Sequence, residues 1–112
     1  MKRYGTVIEV KADKLDEYKR LHKAVWPGVL ALIKTCNLRN YSIYLRKLAD
    51  GKYYLFSYFE YVGGDFASDM AKMAADPETQ RWWAVCKPCQ EPLPDRAQGE
   101  WWAGMEEVFH QD

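Results

Sequence analysis

The chain has 112 residues, carries 16 basic against 16 acidic side chains, and is 15% aromatic, with five Trp, eight Tyr and four Phe. This length suits one domain spanning residues 1–112 with one modest core, and the balanced, unclustered charge argues against nucleic acid or an acidic membrane surface as a partner. The opening Met1-Lys2-Arg3-Tyr4-Gly5 is too polar for a signal peptide, no apolar run approaches spanning length, and three cysteines are an odd count for a disulfide framework. A cytoplasmic protein is expected.

In chain order, Arg3 to Val10 alternates as a strand does, with Tyr4, Thr6, Ile8 and Val10 on one side. Lys11-Ala12-Asp13 reads as a turn, with Asp13 as helix N-cap. A helix is then expected to Thr35, either kinked or divided into two at Trp26-Pro27, because an internal proline removes a backbone bond and crowds the preceding turn. Leu15, Tyr18, His22, Val25, Trp26, Val29 and Ile33 recur along this stretch at helical spacing, so His22 lies on the apolar face, one turn from Tyr18.

Asn40 to Lys47 forms the second strand, with Tyr41, Ile43 and Leu45 sharing a face. Ala49-Asp50-Gly51 is a hairpin turn signal, and Lys52 to Tyr61 is the third strand, ended by Gly63-Gly64. Asp65 to Ala75 forms an amphipathic helix. Asp76-Pro77 closes it and opens another over Glu78 to Cys86, since proline suits a first helical position. Lys87 to Gln98, with Pro88, Pro92 and Pro94, reads as a loop, and Met105 to His110 as the last strand. The order β-α-β-β-α-β is the ferredoxin-like split βαβ pattern of an α+β protein, an antiparallel sheet with helices on one face. The other face calls for a cover, and a second copy, making a homodimeric α/β barrel, is the simplest.

Cys86-Lys87-Pro88-Cys89 has the spacing of a redox dithiol. Such a pair needs a helix N-terminus to stabilise its thiolate, and here a helix precedes it and prolines follow, so packed thiols are expected. Cys36, His22 and His110 supply no second pair at zinc spacing. His110 reads as a surface residue. Glu106 and Glu107, on opposite faces of the last strand, leave one carboxylate pointing inward, to orient His22 or bind a hydroxyl, or else a solvated edge. Neither a phosphate-binding glycine loop nor a nucleophile elbow is present.

His22 is the candidate catalytic residue. A polar ring on a buried face requires partners. Tyr18, Tyr41, Trp82 and Trp83 supply hydroxyls and flat walls suited to a small polar ligand such as a sugar, whose C–H faces stack on aromatic rings. Adjacent tryptophans, at Trp82-Trp83 and again at Trp101-Trp102, cannot all face one core. Burial lowers the pKa of His22 and favours the neutral ring, which both gives and takes a proton.

The spaced set Glu17-Tyr18-Lys19-Arg20-Leu21-His22-Lys23-Ala24-Val25-Trp26-Pro27, Asn40-Tyr41-Ser42-Ile43-Tyr44-Leu45, Gln80-Arg81-Trp82-Trp83 and Met105-Glu106-Glu107-Val108-Phe109 resembles the L-rhamnose mutarotase family across the whole chain. The resemblance implies a dimeric α/β barrel that interconverts α and β anomers of a 6-deoxy-sugar without cofactor or metal. It makes His22 the catalytic proton donor, and places Tyr18, Tyr41, Trp82 and Trp83 at the sugar. Segments Gly63–Ala75 and Cys86–Gln98 look longer than in compact members, a departure that makes L-fucose a candidate beside L-rhamnose. A cofactor-independent monooxygenase and a non-catalytic sugar-binding module are the alternatives.

Overall fold

A computed structural model describes residues 1–112. A long strand, β1 (Lys2–Val10), leads through a 3-10 turn at Ala12–Lys14 into helix α1 (Leu15–Lys23) and then α2 (Pro27–Thr35); strands β2 (Leu38–Lys47) and β3 (Tyr53–Tyr61) follow. Helices α3 (Phe66–Ala75) and α4 (Pro77–Cys86), a second 3-10 turn at Lys87–Cys89, and short strands β4 (Gln90–Glu91) and β5 (Ala103–Met105) complete the chain. The sheet is antiparallel, in the order β2-β3-β1-β4, with β5 also on β1. This is the expected split βαβ arrangement, curled into a half-barrel.

Three local expectations are corrected. Asp13 makes no cap: the 3-10 turn begins after Lys11 and no side chain caps it or α1. The last strand ends where it was expected to begin, and Glu106 to Asp112 form no strand. The expected loop instead contributes β4, opposite Glu9 and Val10, while β5 pairs with Gly5 to Val7. The fourth place in the sheet is therefore filled in two pieces, separated by a segment whose Pro92 and Pro94 lack the N–H a ladder needs.

The first long helix resolves into two. Trp26 takes the extended backbone that a following proline imposes, and Pro27 starts α2. Asn37, with φ of 67°, ends α2 in the left-handed conformation asparagine tolerates. Asp65 and Asp76 cap α3 and α4, accepting from the backbone N–H of Ser68 and Thr79.

A bulge in β2 decides what that strand shows the helices. The register slips between Arg39 and Ser42, and Asn40 takes a φ of 51° there. Leu38 is buried against Tyr61, and five residues on, Ile43 packs into the other core cluster. With strict alternation these two would face opposite ways. The extra residue restores the phase, and Tyr41, within the bulge, joins the helix-facing side.

Ile8, Val10, Tyr18, Leu55 and Cys89 form one buried cluster, in which Ile8 and Val10 are wholly buried; each contributes about 1.5–3 kcal/mol of transfer free energy. A second cluster holds Cys36, Leu38, Tyr61 and Met73, and a third Val29, Trp82 and Cys86. Between the first two, Thr6 and Ser57 face each other across β1 and β3 and share a hydrogen bond. No helix is long and apolar enough to cross a membrane.

Candidate active site

α1 presents Tyr18 and His22 from successive turns, with their rings stacked at 4.1 Å. The edge of His22 meets Trp82 of α4 at 5.2 Å, and Trp82 in turn meets Trp26 at 5.3 Å. Tyr18 and His22 line a cleft of about 300 Å3 between α1 and the sheet, walled by Leu15, Ile43, Leu45 and Leu55, with Lys19 and Lys23 at its rim. That volume is at the lower end of the range for small-molecule sites. A larger hollow of about 540 Å3 lies by Val7 and Ala103 under the loop after β4. Its Arg96 and Glu100 are committed to the loop backbone, through Leu93 O, Ala97 N and Gly104 N, so the reactive groups lie in the smaller cleft.

The imidazole is held in one tautomer. His22 Nδ1 lies 2.9 Å from the carbonyl oxygen of Tyr18. A carbonyl only accepts, so Nδ1 carries the proton and Nε2 is left as a bare acceptor. Burial lowers the imidazole pKa below its usual 6.5, against the opposing pull of the Tyr18 carbonyl. The ring is therefore neutral at pH 7, with its basic nitrogen uncommitted.

Burial also raises the phenol of Tyr18, with smaller contributions from Cys86, Tyr41 and Cys89. The phenol of Tyr41 is pushed up to about 12 by burial and then by Cys86. Yet 41% of Tyr41 stays accessible. Its ring leans on Phe59 at 5.3 Å.

Of the five residues singled out, then, the fold brings His22, Tyr18 and Trp82 into direct contact and carries Tyr41 toward them from the sheet. Trp82 is buried and touches the edge of His22. Trp83 points away, packing on the second cluster and under the Lys87 ammonium, 5.5 Å from its ring. The expectation of an inward carboxylate from Glu106 or Glu107 is corrected. Both are exposed, and Glu107 instead pairs with Arg3 at 2.8 Å. His110 lies at the surface, bonded to Asp112. Cys86 and Cys89 lie at the C-terminal end of α4, buried and unpaired, the former pushed up to about 12 by burial.

One participant escaped sequence reasoning. Gln90, buried on β4, reaches the Tyr18 hydroxyl at 3.5 Å and accepts from the Trp101 indole at 2.7 Å. It stood in a stretch read as loop, and only the pairing of β4 with the end of β1 brings it beneath α1. The excess of tryptophan at Trp101-Trp102 was the one signal that this segment approaches a site.

The family model for L-rhamnose mutarotase matches residues 3–111. The chain belongs to the L-rhamnose mutarotase family. An L-rhamnose mutarotase of Oceanobacillus iheyensis is 35% identical over the full length of both chains, and that of Bacillus subtilis 31%, also over both full lengths. Among solved structures, an L-rhamnose mutarotase of Formosa agariphila superposes with a TM-score of 0.75 at 20% identity over all of both chains. Tetracenomycin F2 cyclase of Streptomyces glaucescens, a type-II polyketide cyclase, follows at 0.71 and 9% identity, over all of this chain and 98% of that one. At these identities both structural likenesses establish the fold, and the family rests on the sequence matches. In this mutarotase-family chain, the cleft beside α1 is where the fold gathers acid–base and hydroxyl groups.

Proposed function

We propose that this chain is an isomerase that interconverts the α and β anomers of L-rhamnose, with His22 as its acid–base residue and no cofactor. The observation that carries the proposal is the tautomer of His22: a neutral imidazole on the wall of a cleft, its Nδ1 tied to Tyr18 O and its Nε2 uncommitted. Ring opening of a pyranose requires a proton to leave the anomeric hydroxyl and another to reach the ring oxygen. A positioned acid–base group supplies roughly 10²–10⁴-fold. Tyr18 and Tyr41 offer hydroxyls to the sugar, and Trp82 fixes the imidazole from its edge. Names borne by full-length relatives support L-rhamnose as substrate.

The test is NMR saturation transfer between the anomeric protons of L-rhamnose and of L-fucose, with their D-enantiomers as controls. Faster exchange of L-rhamnose than of L-fucose is expected. A reversed order would move the substrate to L-fucose, and no acceleration with any sugar would refute the enzyme.

The same proposal includes a homodimer. The sheet face away from the helices carries Tyr44, 66% exposed, and Met105, 43% exposed, and the tail beyond it exposes Val108 and Phe109. A second copy would cover this apolar surface. Sedimentation equilibrium at micromolar concentration should give twice the chain mass, and a monomer would refute it.

A further inference from the structure

The Gln90 amide has a fixed orientation. The Trp101 indole N–H can only donate, so the amide atom 2.7 Å from it is the oxygen, and Nε2 faces Tyr18. The Lys87 ammonium also lies against Trp101, 5.2 Å from that ring and 5.5 Å from Trp83. An amide nitrogen can only donate. The Tyr18 oxygen is therefore the acceptor in this pair, and its own proton is not spent on Gln90, the one group within hydrogen-bond range of that hydroxyl. Gln90 is buried, only 6% exposed, and water does not scramble the arrangement.

Two neighbouring groups of α1 thus have opposite capacities. The Tyr18 hydroxyl has a proton to give, and His22 Nε2, on the ring stacked 4.1 Å away, has a lone pair to take one. The titratable groups around Tyr18 are His22 on its own helix, Cys86 and Cys89 at the end of α4, and Tyr41 on β2; burial pushes both thiols and the Tyr41 phenol up, which keeps them neutral near pH 7. A cyclic hemiacetal presents the complementary pair, an anomeric hydroxyl that loses a proton and a ring oxygen that gains one.

We infer that Gln90 and Trp101 are positioning residues that commit Tyr18 to donating its hydroxyl proton to the sugar ring oxygen while His22 Nε2 takes the proton of the anomeric hydroxyl. This rests on the mutarotase proposal and divides its acid–base work between two residues. In the opening step the C1–O5 bond breaks and its electron pair goes to O5, which takes the Tyr18 proton. The O1 proton goes to His22 Nε2, and C1=O1 forms. The open-chain aldehyde turns about C1–C2. In closure, O5 attacks the other face of C1, its proton returns to the tyrosinate, and the imidazolium returns a proton to O1. No proton is gained or lost, and no other reactant is required.

Changing the direction of one hydrogen bond tests this. A carboxylate at position 90 still accepts from Trp101 but can only accept from Tyr18, so Gln90→Glu turns the tyrosine proton away from the sugar. Exchange kinetics on L-rhamnose should show kcat at least tenfold lower with KM changed less than threefold. The deficit should shrink as pH falls and the buried carboxyl, once protonated, can donate again. Gln90→Met, of similar shape but without polarity, and Trp101→Phe, which deletes the indole N–H, should each lower kcat severalfold at unchanged KM, with no pH-dependent recovery. These two also decide the matter if Gln90→Glu fails to fold. A Gln90→Glu deficit that does not shrink on acidification, or kcat within twofold of wild type in the folded variants, would overturn the inference while leaving the mutarotase proposal intact. A wild-type protein without exchange activity would remove both.

Discussion

Replacing His22 by alanine separates catalysis from packing, because the side chain makes few contacts and each has a known scale. The chemistry loses its acid–base group, worth roughly 10²–10⁴ in rate, or about 3–5 kcal/mol of barrier. The fold loses a stack on Tyr18 at 4.1 Å and an edge contact on Trp82 at 5.2 Å, each worth about 0.5–1.5 kcal/mol. It also loses the bond to Tyr18 O, about 0.5–1.5 kcal/mol net; that carbonyl keeps its place in the helix ladder and is not orphaned. The total is about 1.5–4.5 kcal/mol. At roughly 4 °C per kcal/mol for a chain of this size, the melting temperature falls by about 6–18 °C. A protein of ordinary stability remains folded at 25 °C after that loss. The assay is saturation transfer on L-rhamnose at 25 °C, with circular dichroism melts of the same samples. His22→Gln is the companion variant: it refills the space and can still donate to Tyr18 O, but it transfers no proton. Its rate should be as low as that of His22→Ala, with a smaller fall in melting temperature. A folded His22→Ala within threefold of the wild-type rate, or a glutamine that restores activity, would refute acid–base catalysis by this residue.

Activity should fall on acidification with a midpoint below pH 6.5, since the active form of His22 is the neutral ring and burial lowers its pKa from that value; a pH profile of kcat/KM reads this directly, and a midpoint above 6.5 would contradict it. The same shift makes the unfolded chain take up this proton first, so this group's contribution to stability declines as pH falls from 6.5 to the lower folded value and is constant below it. Gly63→Ala should lower the melting temperature and leave exchange kinetics unchanged. Its Cβ would press on the Tyr61 hydroxyl and lie 2.7 Å from Asn37 Nδ2, the two groups that donate to buried Asp69 at 2.5 and 3.0 Å. The thiols of Cys36, Cys86 and Cys89, all buried and raised, should react slowly with a disulfide reagent in the native protein and fully in denaturant; fast native labelling of Cys86 or Cys89 would revive a redox role.

What the sequence determined by itself was the set of local choices. Pattern and period placed the three long strands, and Pro27 and Asp76-Pro77 placed helix starts, because a missing N–H and a side-chain cap act within a few residues. The stacking of Tyr18 on His22 was legible too, since side chains one turn apart on a helix must meet. The sequence set out the chemistry of His22 as well, but not which nitrogen is free. What only the tertiary structure decided depends on segments far apart in the chain. The bulge at Asn40 that turns Tyr41 toward the helices is a matter of register between β2 and β3. The place of Gln90 beneath Tyr18 requires β4 to pair with β1, and the short run Gln90–Glu91 between proline-bearing segments has no periodicity to announce it. Glu107 went to Arg3 rather than to the cleft because the last strand ended early. A hydrogen bond 72 positions apart, such as that from Gln90 to Tyr18, leaves no mark in local propensity. It exists because packing two elements of the fold excludes water from between them and leaves each buried polar atom only the partners the fold provides.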